Sequence, residues 1–147
     1  MPRLTYALLA LVAGAMIAAQ APINARLRLT LGSPVGSALV SFAVGLVLLA
    51  GVTVAVGDAG NLRAVGSGPW WAYLGGALGA VFVVVTLLAA PRIGVTATFV
   101  AVILGQVLAA ALIDRFGLIG QDAIALTWER VLAIGLLLAS LALLVRG

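Results

Sequence analysis

The chain has 147 residues, 65% hydrophobic and 8% charged, a composition far from that of soluble domains. It contains no Cys and no His, which excludes disulfides, thiol chemistry and the commonest metal ligands. Its four acids are never paired in an apolar setting, so a two-carboxylate active site is not expected, nor is a metal or a cofactor. The net charge of +4 lies on loops and helix ends, and every basic residue is Arg; this is a pattern of membrane anchors, with no nucleic-acid partner expected.

Charges divide the chain into five apolar runs, each long enough to approach the roughly 30 Å of a hydrocarbon core. The fold class is therefore all-α integral membrane, a single five-helix domain over residues 1–147 with spans near 4–25, 34–56, 69–90, 94–113 and 128–145. The third span is entered through Pro69, Trp70, Trp71 and Tyr73, an interfacial aromatic belt. The fifth has only 15 residues between Arg130 and Arg146. It must begin earlier, near Thr127 as N-cap with Glu129 in the first turn, or both arginines must snorkel.

The first span carries the densest polar feature. Gln20 and Asn24 are four residues apart and project from one helix face. Pro22 between them removes a backbone donor, which predicts a kink or loosened turn and marks it as a hinge. Arg3, the apolar run and Ala19-Gln20-Ala21 also match a secretory signal with its cleavage site. Pro22 hinders such cleavage and the amides have a use inside a bundle, so the segment is read as a retained span.

Small residues recur every four positions: Ser37, Ser41 and Gly45 in the second span, Gly75 and Gly79 in the third, and Ala97, Ala101, Gly105 and Ala109 in the fourth. That spacing permits close helix contact in lipid. Thr98, Gln106 and Asp114 form a polar stripe beside the last ladder. Gln106 and Gln20 either share an interhelical hydrogen bond or line a cavity with Asn24. Phe99 can stack on a ligand or simply pack, and Thr86 can bond its own backbone. Asp114 is the one candidate coupling group, with an interfacial salt bridge beside Arg115 as its plainer role.

With five spans, Arg3, Arg63, Arg115 and Arg130 share one side, and Arg26, Arg28, Arg92 and Arg146 share the other. Four against four leaves no positive-inside bias. A dominant first helix would impose one orientation. The favoured reading is dual topology, in which the chain inserts both ways and pairs with itself as an antiparallel, inverted homodimer, recreating the inverted repeats of many transporters.

The strings LVAGAMIAAQAPINARL, SPVGSALVSFAVG, WWAYLGGALGAVFV, APRIGVTATFVAVILGQVLAA and IDRFGLIG cover almost the whole chain. Together they resemble the five-helix YdcZ-type proteins of the drug/metabolite transporter superfamily, most specifically at QAPINARL, APRIG and Gly105-Gln106. The resemblance implies a multi-pass protein of the bacterial inner membrane, equivalent to half of a ten-helix transporter. In those larger relatives the first, third and fourth helices of each half surround a central cavity. By position that places Gln20, Asn24, Thr98, Phe99 and Gln106 near a substrate. Four-helix exporters of the same superfamily carry a glutamate in the first helix, whereas this first span has no acid. Burying one costs about 3 kcal/mol, so proton–cation antiport of that style is not expected.

The expected function is a small dual-topology transporter that moves a small metabolite or amphipathic solute by alternating access, with membrane lipid, its inverted mate and a small-molecule substrate as partners. The alternatives are a dual-topology ion channel of the fluoride-channel kind and a non-transporting, lipid-binding membrane subunit. An enzyme is not expected, because no nucleophile–base pair can be assembled without His, Cys or Lys.

Overall fold

The computed structural model describes residues 2–118 and 122–146, with side chains from residue 4 onward. The Arg3 side chain, and Ile119 and Gly120 at the end of IDRFGLIG, lie outside the described residues. Five helices follow in order: α1 (Pro2–Leu31), α2 (Pro34–Ala55), α3 (Leu74–Ile93), α4 (Val95–Phe116) and α5 (Trp128–Arg146). No strand occurs among the described residues, and all five helices are long and apolar enough to cross a membrane. The chain divides into two compact units, Met1–Pro91 and Arg92–Gly147.

In the first unit α1 and α2 form a tight helical hairpin. Gly32 adopts φ +66°, a left-handed conformation open to glycine, and its N–H returns to the Arg28 carbonyl at 2.8 Å. Ser33 then caps α2: its Oγ accepts the Gly36 N–H at 3.0 Å, and Pro34 supplies the first helical residue. The glycine stop, the serine cap and the proline start therefore turn the chain within two residues. After α2, one 3₁₀ turn spans Asp58–Ala64 and a second spans Trp70–Tyr73. The Tyr73 hydroxyl accepts the Gly66 N–H at 2.8 Å, which pins the loop against the aromatic entry of α3. The belt Trp70-Trp71-Tyr73 thus sits in a 3₁₀ turn ahead of α3 and not in its first α-helical turn.

Several helix ends differ from the expected bounds, and α3 starts five residues later and ends three later than its expected span. α1 runs unbroken through Pro22 and past Arg26 and Arg28 to Leu31. Proline removes a single hydrogen bond, that to the Ala18 carbonyl, and the neighbouring bonds hold the helix. α4 continues to Phe116, where Gly117 at φ +60° closes it through an N–H bond to Ile113. Thr127 precedes α5 as expected, its carbonyl accepting the Val131 N–H at 3.2 Å.

The interior is small. Ala38, Val83 and Leu87 form the apolar core of the first unit, flanked by Phe82, Val84 and Leu88. Phe42 of α2 lies 3.6 Å from where a Cβ on Gly79 would stand, so that glycine lets the ring approach α3. No span has more than 17% of its apolar window buried within the chain, leaving most helix surface for lipid or another protein. In the second unit α4 packs on α5, and Val107, Ala110 and Ala111 line a shallow cleft there with Ala133 and Ile134. Gly105 and Ala109 of the α4 ladder are exposed.

Candidate functional site

The polar residues of the first unit meet along the α1–α2 hairpin. Because the helices are antiparallel, one turn forward on α1 is one turn back on α2, and two four-residue ladders come into register. Ser37 Oγ donates to the Asn24 carbonyl at 2.7 Å. One turn deeper, Gln20 Nε2 donates to Ser41 Oγ at 3.4 Å, the long limit of a hydrogen bond. The hydroxyl pair of α2 therefore lies along this stretch of α1, Ser41 on the Gln20 side chain and Ser37 on the Asn24 backbone.

The two rungs differ in burial. Ser37 and Asn24 are 0% and 3% exposed, yet Asn24 Nδ2 has no hydrogen-bond partner. Leaving such a donor unmet costs about 1–3 kcal/mol in an apolar setting. Gln20 is half-buried and lines a cleft of about 340 Å³ with Ser41, Phe42, Gly45, Leu46 and Leu49. This cleft has uncharged polar groups at one end and an aromatic and aliphatic wall along the rest. It suits a solute with hydrogen-bonding atoms and an apolar body, and it provides no general base, nucleophile or metal ligand. Among the described residues no group of His, Cys, Asp or Glu could hold a metal ion.

The remaining expected site residues lie on α4, in the second unit. Thr98 is buried and donates its hydroxyl to the Gly94 carbonyl at 2.7 Å. Phe99 is half-buried. Gln106 is exposed, with no hydrogen-bond partner among the described residues. Thr86 bonds its own helix, at 3.0 Å to Phe82 and 3.1 Å to Val83, as expected.

Asp114 forms an ion pair with Arg130 of α5 at 2.8 Å, and not with the adjacent Arg115. Neighbouring residues on a helix diverge by about 100°, so Asp114 reaches across to the packed helix more readily than to Arg115. Both partners are substantially exposed, at 32% and 40%, where such pairs contribute about 0–1 kcal/mol. Asp114→Asn should therefore lower the unfolding free energy in detergent by less than about 1 kcal/mol; a larger loss would mean the pair is more deeply desolvated than its exposure indicates.

Ser37 and Ser41 are the site residues that sequence reasoning assigned only to helix packing. The available signal was their four-residue spacing, which mirrors that of Gln20 and Asn24 across a Gly-Ser-Pro turn.

A family model described as "Putative inner membrane exporter, YdcZ" matches residues 5–143. No curated protein and no solved structure matches the chain.

Proposed function

The chain belongs to the YdcZ family, and from that membership we propose that it is a small transporter working as an inverted homodimer, each copy supplying half of a midplane solute site. The observation that carries this reading is the Asn24 amide, buried and unpaired one turn from the cleft-lining Gln20. Buried polar groups are normally satisfied, and intramembrane polar groups tend to mark solute pathways. A solute for which the cleft opened by one further helical turn would complete that donor. The family description as an exporter supports solute movement, and the equal arginine counts on the two sides support insertion in both orientations.

In this proposal Gln20 and Asn24 hydrogen-bond the solute, Ser41 holds the Gln20 amide, and Thr98, Phe99 and Gln106 contribute from α4. Pro22 is the hinge, since the Ala18 carbonyl it leaves without a helical partner lowers the cost of bending there. Asp114 is accounted for by its ion pair with Arg130. The solute is a neutral or zwitterionic metabolite or an amphipath, because the first span has no acid to hold a cation.

The absence of native cysteine makes a direct test available. A Cβ at Gly45 would meet no atom within 4 Å, so Gly45→Cys places a thiol on the cleft wall without a clash in the chain. A membrane-impermeant maleimide applied from one side of sealed vesicles should label more than half of the protein. A static inverted pair would stop near half, and a cleft sealed by helix packing would give no labelling from either side; either result rejects alternating access.

A further inference from the structure

A second concavity lies at the other end of the α1 face. Pro22, Ala25, Arg26, Arg28 and Leu29 of α1 and Pro91 of α3 enclose a groove of about 290 Å³. Positions 22, 25, 26 and 29 recur at three- and four-residue steps, whereas Arg28, two beyond Arg26, leaves the helix on the other side of that stripe, so the two arginines flank the groove. The groove is amphipathic: Pro22, Ala25, Leu29 and Pro91 supply its apolar lining, and Arg26 and Arg28 supply its charge.

Helix length sets the depth of this groove. The 30 residues of α1 rise about 45 Å, which is the thickness of a bilayer with its headgroups rather than of the hydrocarbon alone. The uncharged run through Ala25 fills the core, and the turn and a half from Arg26 onward stands at headgroup level. Pro22, one turn inward, lies at the upper acyl boundary.

Among the described residues neither arginine has a carboxylate partner. The ion pair found among the described residues is Arg130–Asp114, in the second unit. The one acid of the first unit, Asp58, follows α2 at the end remote from the Gly32–Ser33 turn, about 33 Å of helix away. Two cations flanking an apolar groove therefore lack a counter-charge from their own unit. A guanidinium at headgroup depth is matched by phosphate, to which it donates in bidentate fashion.

We propose that this groove binds an anionic phospholipid, its phosphodiester held by Arg26 and Arg28 and its glycerol and first methylenes lying on Pro22 and Ala25. The apolar lining selects a lipid over a free anion, because a soluble phosphate leaves those surfaces uncovered. The two cations select an anionic headgroup over a choline lipid, whose ammonium they repel. Basic clusters beside membrane helices attract anionic lipid in this manner. The groove lies outside the Gln20–Leu49 cleft, although it shares Pro22 with the proposed hinge.

The test is native mass spectrometry of the full-length protein, released from detergent with equimolar phosphatidylglycerol and phosphatidylcholine of identical acyl chains. Wild type should retain phosphatidylglycerol over phosphatidylcholine by about tenfold. The Arg26→Gln/Arg28→Gln variant should bring the two lipids to near parity, and Arg63→Gln, at the far end of α2, should leave the preference unchanged. Ala25→Leu, which fills the groove while keeping both arginines, should also reduce retention, and it serves if the double variant does not fold. Equal retention of the two lipids by wild type would overturn the proposal. So would an equal loss in Arg63→Gln, which would reveal a general charge effect, or displacement of lipid by millimolar glycerol phosphate, which would reveal a site for soluble anions.

Discussion

Asn24→Leu should yield a protein that is more stable than the natural one and unable to bind its solute. The side-chain donor of Asn24 is buried and unmet, whereas the hydrogen bond that ties α1 to α2 uses the backbone carbonyl of the residue. Leucine has nearly the same shape, removes the orphan donor and keeps that carbonyl. The gain should be about 1 kcal/mol, at the low end for a relieved polar group because the unfolded reference in lipid also finds partners. It would be read as a raised thermal midpoint in detergent. The loss would be read in a metabolite thermal-shift screen, where the solute that stabilises the natural chain should no longer shift the variant. Ser37→Ala provides the contrast: it removes the 2.7 Å bond to Asn24, should cost about 0.6 kcal/mol, and should leave solute binding in place. A destabilised Asn24→Leu that still responds to the solute would show that the amide serves packing alone.

Orientation in the membrane should respond to single charges with comparable force. Arg63 is exposed in the 3₁₀ turn after α2, and Arg92 is exposed at the end of α3, so neither substitution disturbs a buried contact. With four arginines on each side, Arg63→Gln leaves three against four, and Arg92→Gln reverses the inequality. A basic residue near an anionic leaflet is worth about 1 kcal/mol, or about fivefold in population. Reporter fusions to the chain should move from a near-even split to opposite majorities in the two variants. If both variants kept the natural distribution, the first helix would be setting a single orientation and the inverted pairing would have no basis.

Much of the architecture was legible because lipid imposes strict rules on sequence. A span must be long, apolar and closed on its own backbone bonds, so charges mark its ends. The second and fifth helices begin where the Ser33-Pro34 and Thr127-Trp128 steps place them, since capping is a local matter of two or three residues. The first and fourth helices outrun their apolar stretches, to Leu31 and Phe116, and stop at Gly32 and Gly117. Arginine is a good helix former and tolerates the headgroup layer, so charge marks where the hydrocarbon ends and glycine marks where the helix ends.

That Gln20 and Asn24 share a face follows from their spacing, because 3.6 residues per turn leaves no other outcome on a helix. The number of long apolar helices and the count of arginines between them are read from the chain in the same way. What the amide face meets depends on packing. Packing α2 antiparallel to α1 set Ser37 against Asn24 and Ser41 against Gln20, left one amide donor unmet, and opened the cleft along Phe42 and Gly45. Tertiary structure likewise paired Asp114 with Arg130 across α4 and α5, rather than with its neighbour in the chain. The reason is geometric: intervals along one helix are fixed by local backbone bonding, while register between two helices depends on the turn that joins them and on how their side chains interlock.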